Sequence, residues 1–217
     1  MRRAKPFSSR SSRKLIGTIA NNSDDQSQPF ATSQRFIRSR RYGSVCCYLW
    51  CSGGGKSTLL GELERRGYAV FEEPGRRIIA EERRGSGRAL PWVSLAAFAE
   101  RAIEMSLEDR ERAKGVSGMV FFDRGLIDAA ATLEYATGKP ILKSYSAVCY
   151  NPLVFMTPPW PEIYVGDDDR QHGLQEAVNE YERLLAAFSS LGYEIQLVPK
   201  ASVGIRADFI IERLGLA

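Results

Sequence analysis

From residue 42 onward the apolar positions fall into two alternating kinds of segment. The first kind is short and dense: residues 44–50 (SVCCYLW), 68–72 (YAVFE), 118–123 (GMVFFD), 153–156 (LVFM) and 193–198 (YEIQLV). These have the length of strands, and four apolar residues in a row within 118–123 suit a strand covered on both faces, as in a parallel sheet. The second kind is long and mixed with charge, and predicts helices over 56–66, 94–114, 125–136, 174–188 and 202–214. Across 174–188 the apolar positions are 174, 177, 178, 181, 184, 185 and 188, which lie on one face of a helix that can pack on a sheet. Gly67 stops the first of these helices and Pro91 stands just before the second. Strands alternating with helices predict an α/β fold with a mainly parallel, doubly wound, five-stranded sheet. No internal repeat interrupts the pattern.

Residues 1–42 show no such period. They are rich in Ser and Arg and read as a basic, disordered extension ahead of a folded domain at 43–217. Ten Lys or Arg face two Asp within residues 1–41, a balance of +8, so the rest of the chain carries −4 of the formal +4. The basic pI therefore belongs to the extension, and nucleic-acid binding is not expected of the folded domain. The extension has three readings: a transit-peptide-like segment, a basic tail for membrane or nucleic acid, or a start or reading-frame error upstream of Cys51. No apolar run approaches the roughly 18–20 residues of a membrane helix. Cys46, Cys47, Cys51 and Cys149 lack metal-ligand spacing and read as reduced thiols of a cytoplasmic protein. The single histidine, His172, excludes a multi-histidine metal site.

The chemistry begins between the first strand and the first helix. Gly55-Lys56-Ser57 supplies the last three positions of the phosphate-loop pattern G-x-x-x-x-G-K-[ST], and Ser52, Gly53, Gly54 and Thr58 flank them. Glycines let consecutive N–H groups turn toward phosphate oxygens, and the N-terminus of the following helix adds its dipole. Such a loop binds a nucleoside triphosphate, here expected to be Mg-ATP, with Lys56 on the β- and γ-phosphates and Ser57 on Mg²⁺. One position departs from the pattern: Trp50 stands where the first glycine belongs, and a ligand-free glycine turn is the competing reading. Asp123, after four apolar residues, has the place of a Walker B carboxylate that holds Mg²⁺; an N-cap of the next helix is its other reading.

The segments CSGGGKSTLL (51–60), RRGYAVFEEPGRRI (65–78), ALPW (89–92), VFFDRGLIDA (120–129), VFMTPPWPEIYVGDDDR (154–170) and YERLLAAFSSLGYEIQLVPK (181–200) run in one order. In these segments the chain resembles the bacterial AAA-domain family of P-loop ATP-binding proteins, related to nicotinamide riboside kinase-like domains. The resemblance covers about three quarters of the chain and does not extend before Cys51. It implies the three-layer fold of P-loop NTPases and kinases. Glu72 and Glu73 end the second strand, and in such kinases a Glu-Pro pair there carries the general base, which implies Glu73, with Arg76 or Arg77 on acceptor or phosphate. An Asp-Arg pair implies that Arg124 binds phosphate or the acceptor, and a lid position implies that Arg170 reaches the phosphates. The plainer readings are a solvated charge run at Glu72–Arg77 and a surface pair at Arg124; Asp167–Asp169 resemble a metal site, with helix capping and a solvated loop as their plainer reading. Trp92, Tyr135, Tyr145, Tyr150 and Trp160 are aromatic candidates for the acceptor pocket or the core.

Three functions follow. One is a small-molecule, nucleoside-like kinase that moves the γ-phosphate of ATP to a hydroxyl of an unidentified acceptor. Another is a nucleotide-dependent switch or ATPase module without an acceptor. The third is a degenerate binder disabled by Trp50.

Overall fold

The computed structural model describes residues 46–50, 55–148, 150–163 and 174–216, the first of these segments by its backbone. All lie in the unit Ser39–Ala217. The predicted extension 1–42, the loop residues Ser52, Gly53 and Gly54, the side chain of Trp50, and Asp167–Arg170 with His172 fall outside the described residues.

Five strands, β1 (Cys46–Trp50), β2 (Ala69–Phe71), β3 (Val120–Asp123), β4 (Leu153–Met156) and β5 (Glu194–Leu197), form one sheet in the order β2-β3-β1-β4-β5. Every pairing is parallel. The register sets Leu49 opposite Asp123 and Trp50 opposite Met156, so the carboxyl ends of the three central strands finish at one edge. From β1 the chain crosses to one side of the sheet and later returns to the other. That reversal beside β1 opens the crevice where doubly wound sheets hold ligands.

Side-chain alternation along the strands builds a core on each face. Val120 and Phe122 of β3, with Val154 and Met156 of β4, pack under helices α3 (Leu95–Ala113), α4 (Leu126–Thr137) and α5 (Leu174–Ser190). Phe121 and Phe155 point the other way, against Leu59, Leu60 and Leu63 of α1 (Lys56–Arg65) and Ala207 and Ile210 of α6 (Val203–Arg213). The result is the expected three-layer sandwich. α3 starts where its sequence says it should, with the Ser94 hydroxyl accepting from the Ala97 N–H at 3.3 Å.

One helix is not among those the apolar pattern predicts. α2 (Pro74–Arg84) occupies the stretch that reads as a charge run around a turn. Pro74 sits in its first turn, where the missing N–H costs nothing and the fixed φ is already helical. Only Ile78 and Ile79 bury apolar side chains in the helix proper, too few for a visible period. β2 accordingly ends at Phe71, and Glu73 is the N-cap of α2 rather than a strand residue. Boundaries elsewhere differ by a residue or two, as with α5, which runs on to Ser190.

Candidate active site

α1 begins directly after Gly55, whose φ of 68° is left-handed backbone that glycine adopts without strain. Among the described residues no side chain caps this helix, and its first turn holds no acidic residue. The leading N–H groups and dipole of a helix start favour an anion. Lys56, the first helical residue, is only 2 % exposed, whereas Ser57 and Thr58 are exposed.

A buried ammonium needs carboxylate partners. Lys56 Nζ donates to Oδ1 of Asp123, from the end of β3, and lies 3.6 Å from Oε2 of Glu73, from the start of α2. Glu73 is shared: its Oε1 is 3.2 Å from Nε of Arg124, and its Oε2 is 3.5 Å from Nε of Arg76. Arg124 Nη1 in turn donates to Oε1 of Glu180, on α5, at 2.8 Å. Alternating charges therefore run Asp123–Lys56–Glu73–Arg124–Glu180 across the carboxyl edge of the sheet.

Arg124 occupies this position through an unfavourable backbone. Its φ is 60°, the one left-handed non-glycine among the described residues, at a cost of about 1 kcal/mol or more. The turn is held from α4: Oδ2 of Asp128 accepts the Gly125 N–H at 3.2 Å. Burial pulls the Arg124 guanidinium down, but the charges of Glu180, Glu73 and Asp128 outweigh it and keep the group above its ordinary value. Burial acts on the Asp128 carboxyl without such compensation and raises it to about 7, against the opposing pull of Arg124.

A cavity of about 210 Å³ opens from this network. Glu73, Arg76, Arg124 and Glu180 form its polar end, and Ile79, Pro91, Leu95 and Phe98 an apolar wall. Tyr135 stands at its mouth with the Arg183 guanidinium 4.2 Å from the ring centre. Phe98 approaches close enough that a Cβ on Gly75 would sit 3.0 Å from its ring, so a side chain there would make Phe98 give way by a few tenths of an ångström.

Lys56, Glu73, Asp123 and Arg124 thus come together, with Ser57 and Thr58 on the same helix start. Arg76 and Arg77 separate: Arg76 lines the cavity, whereas Arg77 Nη1 lies 3.2 Å from the buried Asp109 and braces α2 on α3. Tyr150 belongs to the core, edge-on to Phe122 at 5.9 Å and under the Arg110 guanidinium. Trp92 is 44 % exposed and does not line the cavity. Glu180, Asp128 and Arg183 are missing from the sequence-derived set. On the sequence they are ordinary charges of amphipathic helices, and no spacing rule marks them.

A uncapped helix start with Gly55-Lys56-Ser57, an Asp at the end of the adjacent strand, and the sheet order β2-β3-β1-β4-β5 define a P-loop protein of the kinase type. The family described as an AAA domain matches residues 47–206, and the chain belongs to it. No curated protein matches the chain. Among solved structures, the NadR protein in complex with NR aligns at 19 % identity and a TM-score of 0.63, covering 82 % of this chain and 54 % of that one. The NadR protein in complex with NAD and AMP-PNP aligns at 21 % and 0.58, covering 82 % and 51 %. This chain spans about half the length of those proteins. A deoxyadenosine kinase from M. mycoides aligns at 16 % and 0.49, over 79 % of this chain and all of that one.

Proposed function

We propose that the chain binds Mg-ATP at the Gly55–Thr58 helix start and transfers the γ-phosphate to a hydroxyl of a small acceptor seated in the 210 Å³ cavity. The observation that carries this reading is the position of Glu73. It lines the acceptor-sized cavity and also lies 3.6 Å from the phosphate-loop lysine. A nucleotide switch has no use for a carboxylate joining those two places.

The residues fit the cofactor. The uncapped α1 start and Lys56 suit a polyphosphate, and the Ser57 hydroxyl with the Asp123 carboxylate suits a hard divalent cation. When bound, Mg²⁺ would neutralise phosphate charge. With phosphates to satisfy Lys56, the Asp123 carboxylate would be free of its ion pair and could, with Ser57, hold the metal. Glu73 accepts the acceptor's hydroxyl proton as the oxygen forms its bond to the γ-phosphorus and the bond to the β–γ bridging oxygen breaks, releasing ADP. Arg124 and Arg76 hold Glu73 in place and supply positive charge beside the transferring group. Arg170 remains a candidate for the same purpose from outside the described residues.

The test is ADP release by the full chain, alone and with a panel of nucleosides, nicotinamide riboside and small hydroxylated metabolites. Glu73→Gln should bind ATP within a few-fold of wild type while turnover falls about 10²- to 10⁴-fold, and Lys56→Ala should lose both. Wild-type turnover in Glu73→Gln removes Glu73 as the base. ATP binding without stimulation by any acceptor favours the switch reading instead.

A further inference from the structure

Arg206, in the first turn of α6, is 5 % exposed and lies 151 residues from the phosphate loop in sequence. Burying a guanidinium is costly, and burial does lower the basicity of this one. A residue kept in such a place is doing something there that a hydrophobic side chain would not. Its Nη1 donates to the carbonyl oxygen of Gly55 at 3.2 Å. The same oxygen accepts the Leu59 N–H at 3.2 Å, the first hydrogen bond of α1. The indole of Trp160, from the turn after β4, lies 5.8 Å from the guanidinium and covers it.

The Gly55 carbonyl and the Lys56 N–H belong to one peptide unit. A trans peptide is planar, and its C=O and N–H point in opposite directions. Holding the oxygen at the back of the loop therefore fixes the direction of the Lys56 N–H at the front. Gly55 itself, left-handed and without a Cβ, adds little restraint, so the two donors on that oxygen, the Leu59 N–H and Arg206, matter to the plane. A charged donor on the carbonyl also polarises the peptide and strengthens the N–H as a donor.

We propose that Arg206 is a positioning residue of the phosphate loop, which pins the Gly55 carbonyl from behind so that the Lys56 N–H is aimed at a bound phosphate, with Trp160 as its cover. Arg206 touches no reacting atom in this account; it acts through the Gly55–Lys56 peptide. The inference rests on the nucleotide-binding reading above and adds to it a residue from the far end of the domain.

The experiment is calorimetric titration of the full chain with Mg-ATP and, separately, with inorganic triphosphate, for wild type, Arg206→Lys and Arg206→Met, alongside thermal unfolding without ligand. Loss of one charge-assisted hydrogen bond predicts about a ten- to hundredfold weaker affinity for both ligands in Arg206→Met. The loss should be only a few-fold in Arg206→Lys, which keeps the charge on a shorter reach. The partial rescue must appear at equal unfolding midpoints of the two variants or survive correction for them, which a purely structural role would not produce. Wild-type affinity in Arg206→Met overturns the proposal; should the methionine protein fail to fold, wild-type affinity in Arg206→Gln, which lacks the charge and the reach, overturns it instead. A loss seen with ATP but not with inorganic triphosphate also overturns it, because it places Arg206 at the base rather than the phosphates. Failure of the wild-type chain to bind either ligand overturns this inference together with the nucleotide-binding reading, and is thereby distinguished from failure of Arg206 alone.

Discussion

Asp128 offers the sharpest quantitative check on the electrostatics of the site. Its carboxyl is 5 % exposed. One oxygen accepts the Gly125 N–H, and the other, Oδ1, has no hydrogen-bond partner among the described residues. Burial raises the group from 3.8 to about 7. An acid raised in the folded state binds a proton that the unfolded chain has already released. Stability from this group is therefore full below about pH 4, falls as pH rises from about 4 to about 7, and is level above that. At about 1.4 kcal/mol per pH unit, the loss between pH 5 and pH 8 comes to roughly 2–3 kcal/mol. Asp128→Asn keeps an oxygen for the Gly125 N–H and cannot ionise, so it should lack this loss. The assay is urea unfolding followed by circular dichroism at pH 5, 6, 7 and 8 and constant ionic strength. The variant should gain on wild type by roughly 2–3 kcal/mol between pH 5 and 8, a relative shift of about 5–10 °C in Tm. Wild-type and variant profiles that run parallel within about 0.5 kcal/mol would refute the reasoning, since the carboxyl would then be no more desolvated than in the unfolded chain.

Two further outcomes test the network and the loop. Glu180→Ala removes the 2.8 Å partner of Arg124, whose Nε still lies 3.2 Å from Glu73. Turnover with the acceptor found by the panel should fall about tenfold or more, while Mg-ATP affinity stays within a few-fold; an equal loss in both would place Arg124 on the nucleotide instead. Gly55→Ala puts a Cβ on left-handed backbone at φ 68°, which should cost about 1 kcal/mol of stability in denaturant titrations and weaken ATP binding besides. Unchanged ATP affinity would show that the loop does not require that conformation.

The layers of the fold and the phosphate-loop lysine were legible in the sequence because each rests on a local signal. Apolar runs of strand length alternate with amphipathic helices, and a glycine run ends in Lys56-Ser57. Asp123 was legible for the same reason, as the residue that ends a continuous apolar run. α2 was not, because Pro74–Arg84 carries two buried isoleucines and six charges, and its helical state depends on packing against α3. Glu73 could be named from the Glu-Pro pair, and Arg76 is its local neighbour three residues on, but its place between Lys56 and Arg124 could not be read, since those residues come from other elements. Only the parallel register, which ends β1, β3 and β4 at one edge, brings them within reach of each other. Glu180, Asp128 and Arg206 lie on helices where the chain shows ordinary surface charge, and their burial is decided by which face of α4, α5 and α6 meets the sheet. Periodicity assigns an element and its apolar face from nearest neighbours in the chain. The charge a buried group feels is a sum over neighbours in space, and those are set by the order of the strands.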